Sequence, residues 1–264
     1  MIRAQDISAA LSDLCVAGDD VLFVHSGLRD SLRVAGDTAR QKMATVLEGL
    51  RGAVPSGTLM MPTFTYSFCR GEPFDVDRSP STVGVLTELF RRQPGVRRTA
   101  EPLYSVAIEG RLRPESEERL FGVCDRECFG SHSIFAYLEE VDAKLLFYGV
   151  DLNACTYVHR VEQIGAVPYR FMKAFPGIVR HEETETRVTA NYFVRELRTG
   201  TEVHLAPLSD RLLAQGVARA VQLPDGPSLL VVDVRSLAAR AAKELATNPF
   251  FLVRDGHRAS VHVS

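Results

Sequence analysis

His159 and Glu162 stand three residues apart in the run Thr156-Tyr157-Val158-His159-Arg160-Val161-Glu162. On a helix that spacing puts both side chains on one face, where a carboxylate can orient an imidazole base and stabilise its charged form. The same spacing also occurs on solvated helix faces, so a second element is needed to give it meaning. One is the apolar run Val21-Leu22-Phe23-Val24, which leads into His25-Ser26-Gly27-Leu28, a small polar turn whose hydroxyl and N–H groups suit an anionic ligand. Two rival chemistries use nearby residues. Cys155, four residues before His159, is a candidate thiolate that accepts an acyl group. His25, His159, Glu162 and Asp75 are the candidate ligands of a metal-dependent hydrolase, although no tight His-rich spacing supports that set.

The elements that must position these residues alternate along the chain. Residues 144–150 read as a buried strand followed by a short loop at 151–154, which puts His159 at the carboxyl edge of a sheet, where open α/β sheets place ligands. Residues 7–17, 38–54, 83–92, 134–141, 208–220 and 234–246 have helical period, and 21–25, 57–61, 105–110 and 229–232 read as strands. Residues 169–174, 187–195 and 202–205 alternate apolar with polar, with Thr199-Gly200 as a turn, and predict a small antiparallel sheet. The acidic run 181–186 reads as a solvated hairpin tip. The expected fold is α/β, a single domain over 1–264: a mixed sheet flanked by helices over 1–168, with an antiparallel extension and helices over 169–264.

At 264 residues with 45% hydrophobic content, the chain carries enough apolar material for a substantial core. A formal charge of −2 with interspersed signs leaves no footprint for nucleic acid or an anionic membrane, which directs attention to a small-molecule ligand. No secretory signal pattern and no membrane-length apolar stretch is visible, so a cytoplasmic location is expected. Five cysteines, an odd number in a chain of this size, read as free thiols in a reducing compartment; Cys124 and Cys128 make half of a metal site with no matching second half. His132 is expected in a structural role ahead of helix 134–141, and His181, His204, His257 and His262 at the surface.

Several separated motifs then follow one another in an order that resembles the aminoglycoside 3-N-acetyltransferase family. They are His25-Ser26-Gly27-Leu28, Gly57-Thr58-Leu59-Met60-Met61-Pro62-Thr63-Phe64, Pro73-Phe74-Asp75, the run from Val83 to Arg91, Phe129-Gly130-Ser131-His132-Ser133, and Thr156-x-x-His159-x-x-Glu162. The resemblance spans roughly residues 19–168.

It implies an α/β fold distinct from the common GNAT acetyltransferase fold, acetyl-CoA as donor, no metal, and transfer to an amino group of a sugar-like acceptor. By the same resemblance His159 is the general base with Glu162 beside it. The His25–Leu28 turn lies by the coenzyme, with Ser26 and the Gly27 backbone at the pantetheine or pyrophosphate. Ser105 is expected on the coenzyme side with that turn, and backbone N–H groups near Ser105 or Ser26 are candidates for holding the oxyanion. Where the family commonly has Arg-Ser-x-His-Pro-x-x-Ser, this chain reads Arg98-Thr99-Ala100-Glu101-Pro102-Leu103-Tyr104-Ser105. Glu101 therefore either contacts a cationic amine or marks a different acceptor. Asp75, Glu101 and Tyr66 are the acceptor-binding candidates, and the acceptor is an aminoglycoside or a nucleotide-linked amino sugar destined for a surface polysaccharide. A non-catalytic sugar- or CoA-binding protein on the same fold is the alternative to an enzyme, and exposed strand edges suit a homodimer.

Overall fold

The computed structural model describes residues 1–257 apart from Thr199. The larger sheet is built on β1 (Val21–Ser26), β2 (Thr58–Pro62) and β7 (Lys144–Tyr148), which run parallel with β1 in the middle. β5 (Val106–Gly110) joins β2 antiparallel and β4 (Arg97–Arg98) closes that side. On the other side β11 (Ser228–Asp233) lies antiparallel to β7, and β10 (Ala218–Gln222) forms the edge. The order is β10-β11-β7-β1-β2-β5-β4.

The central strands are apolar on successive residues because both of their faces are covered. Phe23, Met60, Leu145 and Phe147 point to one face, while Leu22, Val24, Leu59, Met61, Leu146 and Tyr148 point to the other. The second face packs against α1 (Ala4–Asp13), α2 (Ala39–Ala53) and α3 (Val85–Arg91) through Ile7, Leu11, Val46, Leu50, Leu86 and Phe90. α2 begins in a capping box: Gln41 N–H donates to Thr38 Oγ1 at 3.2 Å, and Thr38 N–H to Gln41 Oε1 at 2.9 Å. The first face meets α5 (Ile134–Glu140), α6 (Val158–Ile164), α7 (Ala206–Ala214) and α8 (Val234–Thr247). α4 (Pro114–Phe121) adds Leu120 to that core.

The same core is shared with a second sheet, ordered β3-β8-β9-β6. Its body is a long antiparallel hairpin of β8 (Arg170–His181) and β9 (Thr184–Arg195), paired from Arg170↔Arg195 to His181↔Thr184. Its tip is the exposed acidic run, turned at Glu182 with φ 54°. The two-residue strands β3 (Phe74–Asp75) and β6 (Arg126–Glu127) lie parallel along its edges.

The fold is the expected mixed α/β kind, with a different division of labour at the carboxyl end. Residues 202–205 form no strand beyond a bridge from Val203 to Val253. The helix expected over 208–220 stops at Ala214, because Gly216 turns at φ 67°, and Ala218–Gln222 becomes the edge strand β10. Its small and charged composition looked helical because an edge strand exposes most of its side chains. The carboxyl-terminal residues therefore complete the larger sheet beside β7, while β3 and β6 from the amino-terminal part edge the smaller one. Of the expected Thr199-Gly200 turn, Thr199 lies outside the described residues, as does His262. Among the described residues no helix is long and apolar enough to cross a membrane.

Candidate active site

β7 ends at Tyr148, and Gly149 after it, with a φ of 62°, turns the chain at the sheet's carboxyl edge. A Cβ on Gly149 would lie 2.3 Å from the Gly27 carbonyl oxygen, so the turns that follow β1 and β7 pack backbone to backbone. From there a 3-10 turn at Leu152–Ala154, capped by Asp151, leads into α6. The Arg160 guanidinium fixes the helix sideways: it pairs with Glu139 at 2.7 Å and donates to the Phe129 carbonyl oxygen at 2.9 Å.

On α6, His159 Nδ1 lies 2.6 Å from Glu162 Oε2. Glu162 is wholly buried, while the His159 side chain retains 16% exposure. The carboxylate is held from two further sides. Tyr169 hydroxyl donates to Oε1 at 2.8 Å, and Arg170 Nε lies 2.8 Å from Oε2 as an ion pair without hydrogen-bond alignment. Burial alone would raise the Glu162 carboxyl, but the His159 ring, Arg170 and the Tyr169 hydroxyl outweigh it and hold it below the usual carboxylate range. His159 moves down too: burial disfavours its cation, the Arg170 charge adds to that, and Glu162 only partly opposes them.

An ionised Glu162 next to a neutral imidazole fixes the tautomer. Nδ1 carries the proton and donates to Glu162, which leaves the lone pair on Nε2. Arg170 Nη2, 2.9 Å from Nδ1, is a donor facing a donor in that state, and its charge is one reason the ring stays neutral. A neutral imidazole with one oriented, unspent nitrogen has a lone pair able to accept a proton.

Aromatic rings lead away from it. Phe129 meets His159 edge-on at 5.6 Å between centroids, Tyr104 lies 4.8 Å from Phe129, and Tyr66 and Tyr192 lie 6.2 and 5.2 Å from Tyr104. Tyr66 is thus tied to His159 through two rings and is itself 41% exposed.

The remaining predicted residues divide. The His25–Leu28 turn sits at the carboxyl end of β1, next to β7, on the same edge as α6. His25 is buried, stacked 5.3 Å from Phe147, with its pKa pushed down to about 3 by burial, and its Nε2 has no hydrogen-bond partner. Gly27 N–H is committed to the Tyr148 carbonyl oxygen at 2.8 Å, so it is not free for a pyrophosphate. Ser105 is fully buried, its hydroxyl bound between Arg98 Nε (3.0 Å) and the Thr63 carbonyl oxygen (3.0 Å). Glu101 turns inward and caps its own loop, accepting from the Leu103 and Tyr104 N–H groups and the Cys128 thiol, with burial raising its pKa. Asp75 Oδ1 likewise accepts from Asp77 N–H at 3.0 Å and Arg78 N–H at 2.8 Å. Ser133 caps α5 by accepting from Ala136 N–H, and His132 beside it is exposed.

The rival chemistries fare differently from the dyad. Cys155 is buried ahead of α6 with its thiol pushed up to about 12, which starves it of thiolate. Among the described residues no group of three His, Cys, Asp or Glu gathers as metal ligands. A groove of about 830 Å³ between α6 and α8 is lined by neither His159 nor Glu162. Sequence reasoning missed Tyr169, Arg170 and the Phe129–Tyr104 rings.

Known proteins resemble the chain both in sequence and in fold. The family model for aminoglycoside 3-N-acetyltransferase matches residues 23–246. Aminoglycoside N(3)-acetyltransferase IV from Salmonella sp is 34% identical over 182 residues, a match that covers 68% of this chain and only 63% of that protein's length. Among solved structures, the apoenzyme of aminoglycoside acetyltransferase AAC(3)-IVa superposes with a TM-score of 0.73 at 26% identity, covering 95% of this chain and 90% of that one. A mutant of that enzyme in complex with apramycin gives a TM-score of 0.71 at 25% identity, covering 94% of this chain and 93% of that one. AAC-IIIb bound to CoASH shares the fold, with a TM-score of 0.78 at 22% identity over 93% of this chain and 96% of that one. With the family model spanning both the β1 turn and the α6 dyad, and a relative above 30% identity beside it, the chain belongs to the aminoglycoside 3-N-acetyltransferase family.

Proposed function

We propose that the protein is an acetyl-CoA-dependent N-acetyltransferase that acetylates an amino group of an amino sugar by direct transfer, with His159 as general base. The observation that carries this reading is the buried Glu162 holding His159 Nδ1 at 2.6 Å while the ring stays neutral. An ammonium has no lone pair and cannot attack a thioester. His159 Nε2 takes the proton, and the amine nitrogen attacks the acetyl carbonyl carbon. The new C–N bond forms and the C–S bond breaks; of the two protons the nitrogen gives up between ammonium and amide, one passes through His159 to the coenzyme thiolate and the other is released to solvent.

Glu162 keeps the ring oriented and stabilises the imidazolium that forms. At the β1 end, the Ser26 hydroxyl and the unpartnered His25 Nε2 are the polar groups proposed to face the pantetheine arm of the co-substrate, since Gly27 N–H is engaged. Tyr66 is the proposed aromatic edge of the acceptor cleft. Support for the acceptor class comes from the relatives, whose names and complexes are those of aminoglycoside acetyltransferases; a nucleotide-linked amino sugar is the other member of the class.

The test is coenzyme A release from acetyl-CoA with apramycin, glucosamine and nucleotide-linked amino sugars as acceptors. His159→Ala is expected to lower kcat/KM by roughly 10²–10⁴-fold with an unchanged circular dichroism spectrum. Full activity in His159→Ala would remove the general base, and failure of the folded wild type to bind acetyl-CoA would favour a non-catalytic protein.

A further inference from the structure

Ser67–Arg70 forms a 3-10 turn in the long connection after β2, and Tyr66 stands immediately ahead of it. The connection is fastened at both ends. Thr63 N–H donates to the Ser105 carbonyl oxygen at 2.8 Å and Thr65 N–H to that of Leu103, while Val76 N–H, just past β3, donates to the Arg180 carbonyl oxygen of β8 at 2.9 Å. Between these anchors the backbone bonds to itself: Cys69 N–H reaches the Tyr66 carbonyl oxygen, Gly71 N–H that of Phe68, and Glu72 N–H that of Ser67. Among the described residues, no backbone-to-backbone hydrogen bond ties residues 66–72 to the rest of the molecule. Side chains must therefore hold the turn, and of its four residues Phe68 alone is buried, at 1% exposure.

The seat of that ring is on β8. A Cβ on Gly177 would lie 2.5 Å from Phe68 Cε2 and Cζ, so the ring rests on the bare face of the strand. Backbone freedom does not explain this glycine, because its φ lies outside the left-handed region, unlike that of Gly71 at 82° in the turn. Glycine inside a strand weakens it and marks a close approach. Here the approaching group is an aromatic ring, which joins Phe74, Val179 and Val188 in one apolar cluster, Val188 being the cross-strand partner of Gly177. Tyr66 stands two residues before the seated ring and touches Tyr104, which leads through Phe129 to His159. A displaced Phe68 would thus carry the acceptor-side edge of the site with it.

We propose that Phe68 seated on Gly177 is the latch that sets the position of Tyr66, and that the two are positioning residues for the acceptor. The effect on turnover rests on the acetyltransferase reading; the latch can be read without it.

The experiment follows Gly177→Ala, Phe68→Leu and the pair Gly177→Ala/Phe68→Leu through apramycin-dependent coenzyme A release, acetyl-CoA calorimetry and melting temperature. The chain has no tryptophan, so the same changes made on a Tyr66→Trp background are reported by a single indole. Gly177→Ala pushes the ring off its seat and should lower kcat/KM for apramycin by about tenfold or more, mostly through KM, with acetyl-CoA affinity unchanged. Phe68→Leu, which empties the seat without forcing a clash, should act in the same direction. In the pair the new methyl fills space that the ring has vacated, so most of the loss should be recovered. Indole emission should shift to the red in Gly177→Ala and return in the pair. Melting temperatures that fall while KM and emission stay at wild type overturn the proposal, because the ring would then be packing alone. So does a pair no better than Gly177→Ala, or an equal fall in acetyl-CoA affinity, which would mean general damage. A folded wild type that releases no coenzyme A with any amine would sink the acetyltransferase reading, while the emission series would still decide the latch: a shift reversed in the pair upholds it, and an unmoved spectrum overturns it.

Discussion

Two buried charged clusters flank the core of this molecule, and they are built on opposite plans. Around Arg98 everything is closed. Its Nε donates to Thr63 Oγ1 (3.1 Å) and Ser105 Oγ (3.0 Å), Nη1 to the Val76 and Ser79 carbonyl oxygens, and Nη2 to the Thr63 carbonyl oxygen. No carboxylate pairs with it among the described residues, and burial with the nearby Arg91 charge lowers its pKa to about 9. Neutral oxygens on three chain segments thus pin one guanidinium, which ties β4, β5 and the loop after β2 together. Around Glu162 the plan is open. A carboxylate gathers an imidazole, a phenol and a guanidinium, yet one imidazole nitrogen stays unspent and the ring keeps an exposed edge. A polar cluster whose groups are all consumed is suited to holding a fold; one that keeps a titratable atom in reserve is a candidate for chemistry.

The contrast predicts its largest difference at Glu162. Glu162→Leu strips Arg170 of its only ion pair among the described residues while that side chain is 2% exposed, so a loss of about 3–5 kcal/mol in unfolding free energy is expected. Catalysis should fall with it. In the double variant Glu162→Leu/Arg170→Leu the orphaned charge is gone, so chemical denaturation should show most of the stability restored while activity stays lost. Equal stability in the single and double variants would mean that Arg170 does not depend on Glu162.

Half of this cluster is legible in the sequence. His159 and Glu162 share a helix, so spacing alone brings them together, and the apolar run before them fixes the sheet edge on which they sit. Tyr169 and Arg170 come from the start of the next strand. The alternation of residues 169–174 announces that strand, but nothing local says that its first two side chains fold back onto α6. Glu101 illustrates the converse. Its carboxylate looked available for an amine because its type is polar, whereas Pro102 turns the chain so that the Leu103 and Tyr104 N–H groups close on it. Ser105 shows a further limit: the long-range contacts with Arg98 and Thr63 that consume its hydroxyl have no sequence period to reveal them. β10 escaped for a third reason: an exposed edge strand has too few buried side chains to impose alternation.

A smaller effect is expected at the closed cluster. Arg98→Met removes a buried cation but leaves the Val76 and Ser79 carbonyl oxygens without a donor, so stability should fall by about 1–3 kcal/mol. Turnover per folded molecule, measured well below the melting temperature, should match wild type. A selective loss of kcat with stability intact would place Arg98 in the chemistry and erase the distinction between the two clusters.

The smallest change probes the reserve held by the open cluster. Tyr169→Phe deletes one neutral donor from Glu162, at a cost of about 1–2 kcal/mol. The carboxylate then carries its charge with less help and pulls harder on the imidazole proton, so the His159 pKa should move up. In wild type that pKa lies below the ordinary histidine value, first through burial and then through Arg170. The base is active when neutral, so the wild-type rate should hold through pH 7 and fall as pH drops through the depressed pKa. In Tyr169→Phe the acidic fall of kcat/KM should begin at higher pH, with the alkaline limb unmoved. A purely structural tyrosine would lower stability and leave the profile where it was, so the shift separates a positioning residue from a packing one.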